Sequence, residues 1–423
     1  MYPIRIISLA FLLWLGCSLT VSAQTAPGQT LPAQAQPVRT PPAQTAAGQV
    51  QPAPQAPCRI AILAPLYLDS SFDAAGNDRL GQAYPWFSMP GLEFAEGAFI
   101  ALDTLQTQGI PLQYYIYDIR SAGQSVSKLI SSHQLDSIQL MIGSVGGNDY
   151  RMLAEFAKMK NIPFVSATYP NDGGVSADPF LVILNPTLYT HCEAIYHFIL
   201  RNHPTHQLLY VRKPGPMEDR LEGYFRQMND NGGKPLLNIQ TLNVGDSVSA
   251  AQLQSVMDSD RHTVIIAGSL DESFGTSLVS ACNSLKESYP MTLIGMPTWE
   301  GIKALQGPVL RQMAYLLTTS FILPDLDSAT SAGSMMGKFL ALTNTRPGDM
   351  AYRGYESTFL FTNLLLRYQG NIMSHIEEPN FQTYTGFDIK PVLLGSGSHF
   401  PDYFENKHIY ILRKQNGSFM RMQ

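Results

Sequence analysis

Residues 141–169 constrain the fold of this chain more than any other segment. They read in order as an apolar strand, a glycine-rich loop, an amphipathic helix and a second apolar strand. Two strands joined through a helix indicate a parallel sheet, because parallel neighbours need a long crossover connection. Open sheets of this kind place ligands at the carboxyl ends of their strands. The segment therefore predicts an α/β fold with small polar loops at a ligand site.

The same alternation of strands and helices recurs along the chain in two blocks of similar size. The first block begins with residues 59–66, a continuous apolar run that is typical of a strand buried on both faces. The second block covers residues 190–305 and again alternates helices with strands. The chain is also longer than one compact core usually holds. We therefore predict two doubly wound parallel-sheet lobes that face each other across a cleft.

Residues 1–23 have the pattern of a secretory signal peptide. Arg5 supplies a positive charge, a short apolar run follows, and small residues precede a cleavage point after Ala23. The apolar run is shorter than a membrane-spanning helix requires. Two alternatives stay open, a retained membrane anchor and a lipid anchor on Cys17. The chain is expected to be exported in each case.

Residues 24–57 consist almost entirely of Gln, Ala, Pro, Thr and Gly. A segment of this composition buries too little apolar surface to offset its ordering entropy, so we predict a disordered linker. The linker is a tether if Cys17 is lipidated and a plain spacer if it is not.

Charge and cysteine content restrict the partners but leave the redox state open. The formal net charge is −5, and no run of Lys and Arg is present, so no nucleic-acid partner is expected. Cys58, Cys192 and Cys282 remain after processing. Their spacing is compatible with one disulfide and a spare thiol, and equally with three unpaired thiols.

The order and spacing of several short segments resemble the type I periplasmic solute-binding proteins, the family that includes the branched-chain amino-acid receptors. The segments that carry this resemblance are residues 60–65, 97–98, 142–144, 161–166 and 349–356. Glu356 stands where the family usually has Asp. The resemblance implies a periplasmic binding protein-like I fold with a three-strand hinge. It also implies a periplasmic location, a small-molecule ligand and no enzymatic activity, and no metal or cofactor is expected.

Three further segments, residues 295–300, 384–387 and 406–411, look like a subgroup from the Bacteroidetes lineage that often carries a peptidoglycan-binding LysM module. No LysM sequence is visible in this chain, and the linker stands in its place. A direct wall-binding function is therefore not expected.

The resemblance also implies that the chain crosses between the lobes three times. The crossings are expected near residues 185–186, 318–324 and 372–381. On this basis, lobe 1 comprises residues 58–184 and 321–370, and lobe 2 comprises residues 185–320 and 371–423.

The glycine-rich loop of the opening segment is the first candidate ligand site. Ser144, Gly146, Gly147 and Asn148 follow an apolar strand, and a helix begins directly after them. Exposed N–H groups at a helix N-terminus favour an anionic or carbonyl group of a ligand. The alternative is that Asn148 or Asp149 caps the helix while the glycines permit a tight turn.

Ala167 and Thr168 end the next strand, and the resemblance implies a ligand role for both. In the amino-acid receptors, the matching loop binds the ligand carboxylate through hydroxyl and backbone groups. The other interpretation of Thr168 is a hydroxyl that satisfies local backbone. Gly147 stands where those receptors have a serine, and Leu270 stands where they have an aromatic residue. These departures leave the ligand unidentified.

Four more residues are candidate ligand contacts. Tyr67 and Trp299 could offer stacking surfaces, although an aromatic residue in such a loop is as often packing. Asp271 and Glu300 are candidate partners for an ammonium group of the ligand.

Two patterns that would indicate other chemistry lack their essential parts. Ser247 lies in a Gly-Asp-Ser sequence like that of certain esterases, but no Asp-x-x-His pattern follows near the end of the chain. A serine without a placed base is not a catalytic triad. His191 and His197 are six residues apart on one predicted helix, which puts them on different faces. Neither an enzyme nor a metal site is predicted.

The predicted function is capture of a small solute, amino-acid-like or otherwise polar, between two lobes by hinge closure. The alternative is an envelope protein of the same fold that has lost its ligand and regulates a partner. The candidate partners are a membrane transporter, a receptor or a cell-wall protein.

Overall fold

The structure is a computed structural model that describes residues 57–73, 75–79, 84–306, 313–323, 334–378, 381–395, 400–415 and 418–422. The predicted signal peptide at residues 1–23 and nearly all of the predicted linker at residues 24–57 lie outside this part of the chain. None of the helices that the structure describes is long and apolar enough to cross a membrane.

Fourteen strands of the described residues form two sheets. In chain order they are β1 (Cys58–Ala64), β2 (Leu112–Asp118), β3 (Leu140–Gly143), β4 (Phe164–Ser166), β5 (Leu181–Ile183), β6 (Gln207–Arg212), β7 (Ile239–Asn243), β8 (Thr263–Ala267), β9 (Met291–Ile294), β10 (Met313–Thr319), β11 (Ile389–Val392), β12 (Tyr403–Asn406), β13 (Tyr410–Gln415) and β14 (Ser418–Arg421). The lobe 1 sheet has the order β11-β12-β5-β4-β3-β1-β2 and the lobe 2 sheet the order β14-β13-β10-β9-β8-β6-β7. The first five strands of each sheet share one order, as the repeated sequence pattern predicts. The sixth strand differs, because β12 pairs in parallel with β5 whereas β13 pairs antiparallel with β10.

The helices cover both faces of the sheets. They are α1 (Leu68–Ser71), α2 (Met89–Thr107), α3 (Val126–Ser131), α4 (Gly147–Lys160), α5 (Leu188–Asn202), α6 (Pro216–Asn229), α7 (Ala250–Gln254), α8 (Glu272–Leu285), α9 (Met335–Thr343) and α10 (Asp349–Tyr368). Short 3₁₀ helices span Pro297–Gly301, Lys303–Gln306 and Gln369–His375.

The central strand β1 shows why its sequence is apolar throughout. Ile60 and Ile62 pack into a core cluster with α2 and α10, whereas Ala61 and Leu63 pack on the other face with α3 and α4. All four side chains are fully buried. A parallel strand covered by helices on both faces needs apolar residues at consecutive positions, because neighbouring side chains point to opposite faces.

Two glycines allow α2 and α10 to cross with their backbones in contact. A Cβ on Gly97 would lie 1.9 Å from the carbonyl oxygen of Ala351 on α10. A Cβ on Gly354 would lie 2.0 Å from the carbonyl oxygen of Phe94 on α2. The crossing fixes the position of α10 against α2.

The chain passes between the sheets three times, after β5, β10 and β12. The predicted assignment of residues 371–406 to lobe 2, and of the third crossing to residues 372–381, is wrong. Strand β12 pairs in parallel with β5 through Phe404 and Val182, and β11 pairs antiparallel with β12. Because Ile389 and Phe404 bury in the lobe 1 core, this segment completes the first sheet. The third passage lies at residues 407–409.

The three cysteines of the described chain, Cys58, Cys192 and Cys282, are free thiols. Cys192 and Cys282 are buried in the lobe 2 core, and burial raises the pKa of each to about 12. Both therefore stay protonated at neutral pH and behave as small apolar side chains.

Candidate functional site

Two hydroxyl groups meet at the carboxyl ends of β3 and β4. These strands are parallel neighbours, with Gly143 opposite Ser166. The chain beyond each strand end therefore brings Ser144 and Thr168 together, and their Oγ and Oγ1 atoms lie 3.0 Å apart. Both side chains are only partly buried. The pair presents donors and acceptors at the edge of lobe 1 where parallel sheets bind ligands.

The N-terminus of α4 lies beside this pair. Gly147 begins the helix with φ +63° and open space around its Cβ position, and a Cβ on the preceding Gly146 would lie 3.0 Å from the ring of Tyr169. No side chain caps this end of the helix. Asn148 contacts the sulfur of Met152 instead, so the capping role considered for Asn148 is not observed. The N–H groups of the first turn are consequently available to a ligand oxygen.

Asp149 is likewise not a cap. Its carboxylate pairs with Arg120 at 3.3 Å. Arg120 follows β2, so this ion pair ties the start of α4 to the end of the edge strand of the lobe 1 sheet.

Tyr67 is held in the left-handed region, with φ 57° and ψ 38°. A buried carboxylate imposes this conformation, because Asp118 accepts hydrogen bonds from the N–H groups of Leu66, Tyr67 and Leu68 at 2.9, 3.1 and 2.8 Å. The ring of Tyr67 packs edge-on against Phe87, with centroids 4.9 Å apart. Strained backbone that is fixed by surrounding contacts is typical of binding loops. Asp118 is a positioning residue that the sequence analysis did not identify.

Ala167 is buried in the lobe 1 core and its N–H donates to the carbonyl of Gly143 at 2.9 Å. Its side chain therefore packs in the core and does not face the candidate site. Thr168 is anchored differently, since its carbonyl accepts a hydrogen bond from Asn185 Nδ2 at 2.7 Å. The same Asn185 accepts a hydrogen bond from Ser320 through Oδ1. The Thr168 loop is thus bonded directly to the chain passages between the lobes.

A buried acid organises the first and third passages. Glu405 Oε1 accepts hydrogen bonds from the N–H of Thr187 at 2.6 Å and from Thr190 Oγ1 at 2.9 Å. Its other oxygen accepts a hydrogen bond from Lys407 Nζ at 2.7 Å. Asn406 Nδ2 donates to the carbonyl of Leu184 at 3.2 Å. These bonds define the hinge, where the described residues join lobe 1 to lobe 2 by polar contacts while their buried apolar side chains form separate clusters in each lobe.

Lobe 2 offers fewer side chains to a ligand than the sequence predicts. Asp271 caps α8 by accepting hydrogen bonds from the N–H groups of Ser273 and Phe274. It also pairs with Lys213, and this contact lowers its pKa. Asp271 is therefore committed within lobe 2. Leu270 packs partly against the lobe 2 core, and its carbonyl accepts a hydrogen bond from Thr298.

Trp299 does not offer a stacking surface, and the prediction for this residue is wrong. Its side chain is 0% exposed and packs inside the lobe 2 core. The 3₁₀ turn at Pro297–Gly301 folds the indole inward, where Gly275 and Gly295 leave room for it. A Cβ on either glycine would approach the ring to within 2.7 to 2.8 Å.

Glu300 lies exposed on the same 3₁₀ turn of lobe 2, and Arg353 lies in α10 of lobe 1. Arg353 packs over the ring of Phe321, directly after the second passage, at 4.7 Å. The sequence analysis did not identify Arg353. A usable signal was present, because a cation stands between two buried residues, Tyr352 and Gly354, at the start of an apolar helix.

The structure thus brings together Ser144, Gly146, Gly147, Asn148 and Thr168 at one end of lobe 1, with Tyr67 on the adjacent strand end. Asp271 and Trp299 have structural roles within lobe 2, whereas Glu300 is exposed there. Two α/β lobes joined by three passages of the chain are the architecture of a two-lobed binding protein.

A periplasmic binding protein family model matches residues 86–372. This match covers most of the chain, so the protein belongs to the periplasmic binding protein family. Members of this family bind solutes and are not enzymes. No curated protein matches the chain.

Solved structures share the fold at low sequence identity. A putative branched-chain amino acid ABC transporter from Rhodospirillum rubrum has a TM-score of 0.62 at 11% identity, over 87% of this chain and 100% of that one. A branched-chain amino acid ABC transporter periplasmic ligand-binding protein from Burkholderia xenovorans LB400 has a TM-score of 0.57 at 10% identity, over 86% and 94%. An ABC transporter substrate-binding protein from Desulfitobacterium hafniense in complex with Leu has a TM-score of 0.53 at 14% identity, over 87% and 100%. These likenesses show the type I periplasmic binding protein fold.

Proposed function

We propose that the protein captures a small solute between its two lobes by hinge closure, in the periplasm, and delivers it to a membrane transporter. The single observation that supports this most is the Ser144–Thr168 hydroxyl pair, 3.0 Å across, beside the uncapped N-terminus of α4. Hydroxyls and helix N–H groups together suit a carboxylate or carbonyl oxygen of a solute.

Closure is supported by the way the hinge is built. The passages are joined by side-chain hydrogen bonds through Asn185, Glu405 and Asn406. Rotation at a few element-terminal residues is the usual basis of hinge motion. The solute would stabilise the closed form by contacting both lobes at once.

The test combines a thermal-shift screen with small-angle scattering on the exported form of the protein. The screen would cover amino acids, organic acids, sugars, nucleosides and short peptides. A solute at 100 times its Kd should stabilise the native state by about 2.7 kcal/mol. The same solute should reduce the radius of gyration by closing the lobes. A solute that binds without changing the scattering would contradict hinge closure.

One observation favours the second candidate function, an interaction protein that regulates an envelope partner such as a receptor or a cell-wall protein. The side chain of Trp86 is 84% exposed beside the exposed Phe87 on lobe 1. Adjacent exposed aromatic side chains are common at protein interfaces. Suppose that no solute binds, that the wild-type protein captures an envelope protein, and that the Trp86→Ala variant does not. This second function then replaces the first.

A further inference from the structure

A cavity of about 310 Å³ lies in lobe 1 beside β2, the edge strand of the sheet. Helix α2 forms one wall, residues 114–117 of β2 form another, and Leu342 of α9 also lines it. The cavity lies apart from the hydroxyl pair of the candidate site, because β1 separates β2 from β3, the strand that Ser144 follows. The proposed function does not use this cavity.

The walls of the cavity are mostly apolar and include aromatic rings. Leu92 and Ala95 of α2 belong to the lobe 1 core. The rings of Phe99 and Tyr114, which also line the cavity, pack edge-on with centroids 6.4 Å apart. Sites for small molecules are typically concave and apolar, with a few polar groups that orient the ligand. This lining therefore suits the hydrocarbon part of a small molecule.

Glu96 places a carboxyl group in the apolar wall that α2 forms. Its side chain has no hydrogen bond or ion pair with the residues that the structure describes. Lys338 of α9 lies on a helix that packs against α2, but it is bonded to Thr104 and paired with Asp103. The carboxyl group of Glu96 is therefore open to a partner from outside the protein.

The described groups around Glu96 supply no positive charge. Glu93, one turn earlier on α2, is a second carboxyl, and burial together with Asp349 of α10 raises its pKa. Burial also raises the pKa of three nearby phenols, which are uncharged at neutral pH: Tyr84, Tyr114 and Tyr117. Burial, with Glu93 as the smaller cause, raises the pKa of Glu96 to about 7. A cation brought to this carboxyl would favour its charged form.

We infer that this cavity binds a small hydrophobic amine, with the ammonium group on the Glu96 carboxylate and the hydrocarbon part against the apolar walls. An ammonium group donates the hydrogen bonds that the carboxylate accepts, and bonds between two charged groups are among the strongest. The rings of Phe99 and Tyr114 are also favourable neighbours for a cation. The cavity is then a second ligand site, which does not depend on solute capture in the cleft.

The test uses matched probes that differ in one polar group. The probes are 2-phenylethylamine with 2-phenylethanol, and hexylamine with 1-hexanol. Each probe is titrated into the exported protein by calorimetry at pH 8, where Glu96 is ionised and the amines are protonated. We expect at least one amine to bind about 10-fold more tightly than its alcohol, and Glu96→Gln to weaken that amine about 10- to 100-fold, as expected for loss of a charged hydrogen bond.

The pH dependence gives a readout that a purely structural role of Glu96 would not produce. Because the pKa of Glu96 is about 7 in the free protein, an amine must displace a proton at lower pH. Its affinity should therefore fall about 10-fold between pH 8 and pH 6. In Glu96→Gln the affinity should not change over this range. Glu287→Gln is the matched control, since Glu287 is exposed on lobe 2, and it should behave like the wild-type protein.

Two further variants locate the bound amine. Leu342 is partly buried where it lines the cavity, so Leu342→Trp should fill the space and prevent binding of the amine. Thr168→Val alters the cleft and should leave amine binding unchanged.

Three results would overturn the inference: alcohols that bind as tightly as amines, amine affinity that survives Glu96→Gln, or no binding by either amine. Loss of amine binding in Thr168→Val would also overturn it, because the amine would then occupy the cleft. An amine preference that is lost in Glu96→Gln and kept in Glu287→Gln and Thr168→Val supports the inference. None of these results decides whether a solute closes the two lobes.

Discussion

The amide oxygen of Asn185 accepts a hydrogen bond from the hydroxyl of Ser320 at 3.0 Å, and this contact joins the first passage of the chain to the second. The amide nitrogen of Asn185 meanwhile donates to the Thr168 carbonyl at 2.7 Å. One side chain therefore links two strands of the hinge and a loop of the candidate site. Movement of the hinge and the geometry of the Thr168 loop cannot be independent.

Replacing Asn185 with Ala should lower the free energy of unfolding by about 1 to 3 kcal/mol, because buried partners lose their hydrogen bonds. Urea denaturation measures this loss. Asn202→Ala is the matched control, since Asn202 is exposed and bonds only to the carbonyl of Phe198 one turn earlier. We expect a change within about 0.5 kcal/mol for the control. Equal effects of the two substitutions would refute a special role for Asn185.

Thr168→Val should weaken binding of any solute that the wild-type protein captures by about 2- to 10-fold, as expected for loss of one neutral hydrogen bond. Thr168→Ser keeps the hydroxyl and should restore most of the affinity. Thr276→Val is a control on an exposed face of α8, where the hydroxyl donates only to the carbonyl of Glu272. Calorimetric titration provides the comparison. Unchanged affinity in Thr168→Val would remove the hydroxyl pair from the site.

Gly354→Ala should destabilise the protein by more than about 3 kcal/mol, because its Cβ would overlap a backbone carbonyl that cannot move alone. Gly97→Ala should behave in the same way from the other helix. Gly223 lies inside α6 with open space around its Cβ position. Gly223→Ala should therefore stabilise by about 0.4 to 1 kcal/mol. Thermal melts of the three variants give their order of stability. That order shows whether close helix contact or helix propensity decides the effect of each substitution.

Glu96 makes stability depend on pH near neutrality. Burial, with the charge of Glu93 as a smaller cause, raises its pKa from 4.5 to about 7. The folded state therefore holds this proton more tightly than the unfolded state does. Stability is greatest below pH 4.5 as far as Glu96 is concerned, and it falls as the pH rises through the range from 4.5 to 7.

Glu96→Gln should abolish this decline and stabilise the protein at pH 8 by about 1 to 3 kcal/mol, since the buried charge is removed. Melting temperatures measured between pH 4 and pH 8 test the prediction. Glu287→Gln is the control, because Glu287 is exposed and has no ion pair in the described part of the chain. The prediction fails if both variants follow the pH profile of the wild-type protein.

Trp299→Phe should lower stability by about 1 to 3 kcal/mol without changing solute affinity, because the indole fills the lobe 2 core. Parallel unfolding and binding measurements separate these two effects. A large loss of solute affinity at unchanged stability would instead indicate that Trp299 contacts the solute.

The local sequence pattern was sufficient to predict those structural features that one short segment determines. The consecutive apolar residues of β1 predict burial on both faces, and Ile60 and Ala61 do pack on opposite sides of the sheet. Ser144 and Thr168 could be placed together because parallel strands that are sequence neighbours end at the same edge. This reasoning needs no knowledge of long-range contacts.

The errors arose where long-range packing decides. Strand β11 is short, exposed on much of its surface and contains Pro391, so its sequence does not indicate which sheet it joins. The sequence offers Trp299 either as a stacking surface or as a packing residue, and it cannot decide between them because the space left by Gly275 and Gly295 is not visible in the local sequence.

Strand β1 begins at Cys58, where the N–H bonds to the carbonyl of Pro111 at the amino end of the sheet. The candidate site lies at the carboxyl ends of the same strands. The chain before Cys58 therefore joins the protein at the end of the lobe 1 sheet opposite the candidate site. If the protein is coupled to a sensor chip through that segment, lobe 1 is held still and the candidate site points away from the chip. Closure would then be measured as the movement of lobe 2 alone.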